Sequence, residues 1–137
     1  MAIRGTQAAI TAALSELAKN RGFRGAIVCT EQGLLVGSAG KLTSDEMLAG
    51  FASMFDAIVA RGARDLGLTA IDEVSVLDRL HGRLVVRPLV AGVEGRLFLV
   101  VVLEQDAAWR RATTRFLQHS GPTFQRIVGA GVVEEVA

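Results

Sequence analysis

The sequence feature that most limits the fold is the run from Leu97 to Leu103, in which every residue is apolar. A strand with one wet side alternates polar and apolar side chains, whereas a strand covered on both sides is apolar throughout. The run is also far shorter than the roughly 18 residues that a membrane-spanning helix needs. It therefore predicts the central strand of a sheet with other elements packed on both sides.

Composition indicates one domain with more apolar surface than one core requires. The chain has 137 residues, which is the length of a single domain. Hydrophobic residues make up 50%, and there are 15 glycines besides. Together they exceed the roughly 45–50% that ordinary soluble domains contain. We expect part of this surplus in an interface between subunits.

Charge and cysteine content exclude several classes of protein. The net charge of +1, from 15 basic and 14 acidic residues, is too small to hold nucleic acid or an anionic membrane. A lone cysteine, Cys29, gives neither a disulfide framework nor a cysteine-based zinc site, and two distant histidines add no metal site. No cofactor is expected. The N-terminus lacks the continuous apolar segment of a secretory signal, which predicts a cytoplasmic protein.

Periodicity, caps and turns predict one α+β domain with the element order α-β-β-α-β-β-β-α. The strands are separated by a loop at 37–41 and a two-residue turn at His81-Gly82. Pro88, which lacks an N–H group, predicts either a bulge or an unpaired position within its strand. Thr6 and Asp106 are predicted to cap the first and last helices. The predicted ranges are 6–20, 24–30, 34–38, 43–66, 73–80, 84–90, 97–103 and a last helix from 106.

Gly121-Pro122 is predicted to end the last helix, because proline lacks the N–H group that a helix interior needs. Residues 1–120 then form the domain. Residues 121–137 form a C-terminal tail with at most a short helix.

The second helix has the clearest signals. Thr43 and Glu46 have the spacing of a capping box, and Gly67 is placed to end the helix. Large apolar residues recur at helical spacing and are expected to lie on the sheet. They are Met47, Leu48, Phe51, Met54, Phe55, Ile58, Val59 and Leu66.

The opposite side of the second helix carries small residues rather than charged ones. Small residues about one turn apart let another backbone approach closely, a rule best attested in membranes. Alanine is also simply a good helix former, but Gly50 costs about 1 kcal/mol in a helix interior. We therefore predict a contact face for a second polypeptide, comprising Ala49, Gly50, Ser53, Ala57 and Ala60, with Glu46, Arg61 and Arg64 around it.

The strand at 73–80 is predicted to be an exposed edge. Val74, Val76 and Leu80 alternate with Ser75, Leu77 and Arg79, as in a strand with one partly wet side. An exposed edge invites pairing with another chain. Pairing with a two-fold mate fuses two sheets and brings the two second helices side by side.

Other chemical motifs are weak. Residues 37–43 approach a phosphate-binding loop, but Leu35 replaces its first glycine and Leu42 follows the lysine where a hydroxyl belongs. Cys29 lies in mid-strand, where a buried thiol behaves as a small hydrophobe. On the last helix, a face opposite Trp109 and Phe116 is either solvated or an anion site; it carries Arg110, Arg111 and Arg115.

Several local patterns together resemble the roadblock/dynein light chain superfamily, in particular its bacterial MglB-like members, over about residues 6 to 119. The first is Phe23 to Val28 leading into Glu31-Gln32-Gly33-Leu34. The second is Gly82 to Leu89, including Pro88, followed by Arg96 to Val102. The tail after Gly121 has no counterpart in this resemblance.

The resemblance implies a five-stranded antiparallel sheet with helices on both faces, and a homodimer joined through the third strand and second helix. Members act as platforms for small Ras-like GTPases, and MglB-like ones accelerate GTP hydrolysis without supplying a catalytic arginine. Arg61 and Arg64 are accordingly interpreted as docking residues. The expected function is a non-enzymatic homodimeric regulator or scaffold of such a GTPase.

Two alternatives stay open from the sequence. One is a sensory or small-molecule-binding α+β module, which requires an apolar cavity with a few converging polar groups. The other is a hydrolase that uses Cys29, which requires a reactive thiol at neutral pH.

Overall fold

Five antiparallel strands form one sheet with helices on both of its faces, which confirms the predicted α+β architecture. The computed structural model describes residues 2–41, 51–92 and 95–129. The elements are α1 Ala2–Ala18, β1 Phe23–Thr30, β2 Leu35–Gly40, α2 Phe51–Leu66, β3 Val74–Asp78, β4 Gly82–Gly92, β5 Gly95–Leu103 and α3 Arg110–Gly129. The strand order across the sheet is β2-β1-β5-β4-β3.

Strand β5 occupies the centre of the sheet, as the apolar run predicts. Successive side chains point to opposite faces of a strand. Leu99 and Val101 accordingly pack in the core shared with α1 and α3, whereas Phe98 and Val100 pack in a second core beneath α2. Both faces of the central strand are therefore dry.

Helices α1 and α3 lie together on the first face of the sheet. They bury Ile10, Leu14 and Leu17 from α1 and Phe116 from α3 against the strands. Pro88 coincides with a register shift between β4 and β5, which confirms the predicted bulge. This face is the more extensively covered side of the sheet in the described part of the chain.

Several strand boundaries differ from the prediction by one or two residues. The stretch 37–40 is part of β2, because its backbone pairs with β1 from Val28↔Gly37 to Gly25↔Gly40. Strand β3 ends at Asp78 rather than Leu80, and the turn has three residues, 79–81, rather than two. The Asp78 carboxylate accepts hydrogen bonds from the N–H groups of Leu80 (2.8 Å) and His81 (3.3 Å), which ends the strand.

Two helix starts also differ from the prediction. α1 begins at Ala2, so Thr6 lies inside the helix, where threonine costs only a fraction of a kcal/mol. α3 begins at Arg110, because residues 105–106 form a turn in which Ala107 N–H donates to Glu104 O (3.1 Å). Neither predicted cap is therefore at a helix start.

Helix α3 continues through Gly121-Pro122 to Gly129, so the predicted break is wrong. Proline removes one helical hydrogen bond and costs about 3 kcal/mol in a helix interior. Pro122 itself is exposed, and the preceding turn is held by buried Phe116 and Ser120. Packing on that side offsets the loss of the hydrogen bond.

Candidate interaction surface on helix α2 and strand β3

Helix α2 is attached to the sheet by a narrow stripe of side chains. Phe55 is only 2% exposed, and its ring lies 5.2 Å from that of Phe98, centroid to centroid. Val59 is half-buried against the same core. At about 100° per residue, positions 55, 59 and 62 fall on one side of the helix. Gly62 lies in that stripe, buried beneath Leu68 and Ile71.

Three large apolar residues of α2 are exposed, contrary to the prediction that they lie on the sheet. One is Leu66, which is in the last turn and is 74% exposed. The other two lie further back along the helix. Met54 is 54% exposed and Ile58 is 44% exposed. Both project to the same flank of the helix, about 60–100° from Phe55. The stripe that the sheet covers is narrower than the apolar arc in the sequence, so this flank is left uncovered within the described part of the chain.

The predicted contact face is exposed wherever the structure describes its side chains. Ala57 and Ala60 are exposed on the side of α2 that faces away from the sheet. Ser53 lies in the first turn of α2, whereas Ala49 and Gly50 fall outside the described residues, as do Thr43 and Glu46 of the predicted capping box. Whether another polypeptide covers this face remains a prediction.

Arg61 and Arg64 are exposed beside these alanines. Both approach Asp65: Arg61 Nε lies 3.6 Å from Oδ2, and Arg64 Nε lies 3.3 Å from Oδ1. Exposed pairs of this kind contribute at most about 1 kcal/mol. Both guanidinium groups remain largely exposed, at 75% and 68%, and are accessible to an acidic partner.

Strand β3 forms an edge of the sheet, as predicted. It pairs with β4 on one side, where Val74 lies opposite Val86 and Val76 opposite Leu84. Val74 and its partner Val86 belong to the core beneath α2, so Val76, two residues along, points to the same side. Val76 is nevertheless 52% exposed.

We call these exposed groups the α2/β3 surface. It combines apolar side chains, a small-residue helix face and a strand edge that pairs with no other described strand, on one side of the sheet. Its described members are Met54, Ala57, Ile58, Ala60, Arg61, Arg64 and Val76.

Helix α2 ends as the sequence predicts. Gly67 has φ of +69°, and its N–H donates to the carbonyl of Ala63 at 3.2 Å. This is the left-handed cap that glycine favours.

Cys29 is placed poorly for catalysis. It is fully buried in the core beneath α2, and burial raises the pKa of its thiol to about 12. A thiol is a nucleophile only as the thiolate. His81, which would have to serve it as a base, lies exposed in the turn after β3. Among the described residues, no three His, Cys, Asp or Glu side chains come together as metal ligands.

The three arginines of α3 do not share one environment. Trp109 precedes the helix instead of lying on its opposite face, and Arg110 stacks over its ring at 5.3 Å. Trp109 Nε1 donates to Glu73 Oε1 at 2.8 Å, and Arg83 lies 4.6 Å from the ring centroid. Arg111 and Arg115 are exposed and make no ion pair with any described residue.

A buried arginine on β4 was not singled out by the sequence. Arg87 bonds to Asp72, just before β3, and to Thr113 and Thr114 on α3. The available signal was the position of this arginine two residues after Val85, which places it on the same, buried side of the strand. Its partners are far away in sequence, so no local pattern connects them.

No helix within the described ranges has the length and apolar character needed to cross a bilayer.

Comparison with known proteins identifies the fold. No protein-family model and no curated protein matches the sequence. Among solved structures, a Roadblock/LC7 domain from Streptomyces avermitilis has a TM-score of 0.73 at 16% identity, over 84% of this chain and 97% of that one. Myxococcus xanthus MglB has a TM-score of 0.72 at 17% identity, over 88% and 91%.

A third solved structure, described as MglB with tetrameric arrangement, has a TM-score of 0.72 at 17% identity. It covers 96% of this chain and 93% of its own. At this level of identity, the likeness concerns the fold. The chain has the roadblock fold.

Proposed function

We propose that this protein is a non-enzymatic homodimeric regulator or scaffold that binds a small Ras-like GTPase and stimulates its GTP hydrolysis. The α2/β3 surface carries this proposal, because residues 2–41, 51–92 and 95–129 leave its apolar side chains and strand edge exposed on one side of the sheet. The MglB fold adds support, since one MglB protein of that fold is known in a tetrameric arrangement.

The dimer is proposed to form through the free edge of β3. Two β3 strands that pair about a two-fold axis continue the sheet from one protomer to the other. The two α2 helices then lie on the same side of the joined sheet. Met54, Ile58 and Val76 would thereby lose contact with water, which is favourable for apolar surface.

The GTPase is proposed to dock on the outer side of the paired α2 helices. Ala57 and Ala60 allow close approach there, and Arg61 and Arg64 supply positive charge beside them. Their role is docking rather than transition-state stabilisation, so we expect the GTPase to use its own catalytic groups.

The experiment measures two quantities with the full chain. Light scattering after size-exclusion chromatography gives the mass in solution, against 14.5 kDa for one chain. Single-turnover GTP hydrolysis by each small Ras-like GTPase of the same genome is then measured with and without the protein. A dimer that co-elutes with one GTPase and accelerates its hydrolysis supports the proposal. A monomer that neither co-elutes nor changes the rate contradicts it.

The alternative of a small-molecule-binding module also stays a prediction. Two depressions, of about 550 and 440 Å³, lie on the opposite, α1/α3 side of the sheet. Thermal stabilisation by metabolites, but by none of the GTPases, would favour this alternative.

A further inference from the structure

The chain between α2 and β3 contacts both faces of the sheet. Residues 67–73 lie in neither a helix nor a strand. Within the described part of the chain, residues 69–73 make no backbone–backbone hydrogen bond. The position of this stretch is therefore set largely by its side chains. We call residues 68–73 the linking segment.

The start of the linking segment packs against the end of α2. Leu68 N–H donates to the carbonyl of Gly62 at 3.1 Å. A Cβ at Gly62 would lie 3.1 Å from Ile71 Cδ1 and 3.2 Å from Leu68 Cδ1. Ile71 also packs on the core beneath α2. Because close-packed interiors yield little, a displacement of this part of α2 moves Ile71.

The end of the linking segment is bonded to groups on the opposite side of the sheet. Asp72 Oδ2 accepts a hydrogen bond from Arg87 Nη2 at 2.7 Å, and Arg87 is itself bonded to α3. Glu73 Oε1 accepts from Trp109 Nε1 at 2.8 Å. Glu73 Oε2 lies 3.7 Å from Nε of Arg110, the first residue of α3. The start of α3 is thereby joined to the linking segment.

The two attachments of the linking segment are very close in the chain. Ile71 contacts the α2 side and Glu73 the α3 side, and two residues of extended chain span at most about 7 Å. So short a piece of chain cannot absorb a shift of Ile71. Such a shift therefore changes the hydrogen bonds of Asp72 and Glu73.

Helix α2 can supply the displacement, because a narrow stripe attaches it to the sheet. That stripe comprises Phe55, Val59 and Gly62, and Met54 and Ile58 are exposed beside it. A protein that covers the exposed side chains binds some positions of α2 better than others. Such a difference in affinity is what shifts a conformational equilibrium.

We propose that the linking segment couples α2 to the start of α3, so that a protein bound at the α2/β3 surface alters the surroundings of Trp109. The identity of that protein rests on the proposed function, whereas the coupling itself does not. Coupling between two sites is reciprocal. The start of α3, where a depression of about 550 Å³ is lined by Trp109 and Arg111, is therefore a second position from which the affinity of the α2/β3 surface is altered.

The test moves the α2 end of the linking segment and observes the α3 end by NMR of the full chain. Gly62→Ala places a Cβ against Ile71 and Leu68, which must give by a few tenths of an ångström. Trp109 is the chain's one tryptophan, so its indole N–H signal is unambiguous. This signal is expected to shift, because the hydrogen bond to Glu73 changes.

Two further variants make the outcome decisive. Gly121→Ala is the matched control, since Gly121 also lies in a helix and a Cβ there meets nothing within 4 Å. It should leave the indole signal in place. Ile71→Val deletes the Cδ1 atom that the new Cβ meets, and should reduce the shift that Gly62→Ala causes. An unmoved indole signal in Gly62→Ala, or a shift that Ile71→Val leaves undiminished, overturns the proposal.

The reciprocal variant works from the other end and does not depend on the folding of Gly62→Ala. Trp109→Phe removes the N–H group that donates to Glu73, and should shift the amide signal of Gly62 on the other side of the sheet. The amide signal of Ala12, exposed on α1, should stay in place. An unmoved Gly62 signal overturns the proposal.

Binding of a partner separates the coupling from the proposed function. When a protein that co-elutes with the chain is added, the Trp109 indole signal should shift. Binding that leaves this signal unmoved overturns the coupling and leaves the proposed function intact. A chain that binds neither a second copy nor a GTPase contradicts the proposed function, while the shifts in Gly62→Ala and Trp109→Phe still decide the coupling.

Discussion

Arg87 is buried while its counter-ion Asp72 is exposed, and the two are joined by a hydrogen bond of 2.7 Å from Nη2 to Oδ2. The Arg87 side chain is 7% exposed and that of Asp72 is 71% exposed. Arg87 Nη1 also donates to Thr113 Oγ1 and Thr114 Oγ1, each at 2.8 Å. One guanidinium group thus fixes the segment before β3 to α3.

Asp72→Asn should destabilise the fold by about 1–3 kcal/mol, because it leaves a buried cation without its counter-ion. Arg87 Nε already lacks a hydrogen-bond partner among the described residues. The remaining hydrogen bonds of the guanidinium group therefore cannot compensate for the loss of its counter-ion. Asp65→Asn, which affects only exposed ion pairs, should cost less than about 1 kcal/mol. Urea unfolding followed by the fluorescence of Trp109, the chain's one tryptophan, measures both. Equal costs would contradict this interpretation.

Gly82→Ala should be much more destabilising than Gly67→Ala. Both glycines have positive φ, +101° and +69°. A Cβ at Gly82 would lie 2.2 Å from the carbonyl oxygen of Leu103, whereas one at Gly67 would meet nothing within 4 Å. We expect a loss above about 3 kcal/mol for Gly82→Ala, beyond backbone strain alone, and about 1–2 kcal/mol for Gly67→Ala. Thermal unfolding of the two variants provides the comparison.

Ala57→Arg should separate assembly from folding. If α2 presents a solvated face, the change alters stability by less than about 0.5 kcal/mol and nothing else. If the proposed contact face is correct, dimerisation or GTPase binding weakens while the fold is retained. Ala12→Arg, at an exposed alanine of α1, is the matched control. Unchanged mass and GTPase binding in Ala57→Arg would remove this face from the proposal.

The carboxyl group of Asp78 should titrate below its ordinary pKa of 3.8. Its pKa is lowered first by the hydrogen bond from Leu80 N–H and then by that from the His81 side chain. A lowered pKa in the folded state adds stability above the ordinary value, and that stability is lost as pH falls through the folded value. His81→Ala should raise the pKa only in part, since the Leu80 bond remains. Carboxyl-carbon NMR titration measures it, and an unaltered midpoint would exclude the role of His81.

Cys29 should react slowly with thiol reagents in the native protein. Burial raises the pKa of its thiol from 9.0 to about 12, so little thiolate exists at neutral pH. The thiol is ionised more readily in the unfolded chain, so stability should decline as pH rises above 9.0. Labelling with a chromogenic disulfide should accelerate in urea along with unfolding. Rapid labelling of the folded protein would revive the hypothesis of cysteine catalysis.

The element order could be predicted because periodicity and turn residues are local signals. The apolar run in β5, the bulge at Pro88 and the end of α2 at Gly67 each depend on a few neighbouring residues. Helix boundaries were less predictable, because tertiary packing competes with capping preference. At Pro122, contacts of the preceding turn outweigh a residue that normally ends a helix.

The candidate surface was predictable only in part. The small-residue face of α2 follows from helical spacing, and Ala57 and Ala60 are exposed as that spacing implies. The exposure of Met54 and Ile58 could not be predicted, because the width of an apolar arc in the sequence does not show how much of that arc the sheet covers. The ion pair of Arg87 with Asp72 and the bond of Trp109 to Glu73 depend on distant segments meeting, which no local pattern records.

The attachment of α2 by Phe55 has a consequence for how such a molecule is completed. Within the described residues, Phe55 is the one fully buried large side chain of α2, with Val59 and Gly62 beside it. A helix attached by so narrow a stripe can change its tilt at a smaller cost than one packed along a broad face. The tilt of α2 relative to the sheet would then be set by the protein that binds against it. Selectivity between partners would then depend less on the surface shape of the isolated protomer than on which partner stabilises one tilt of α2.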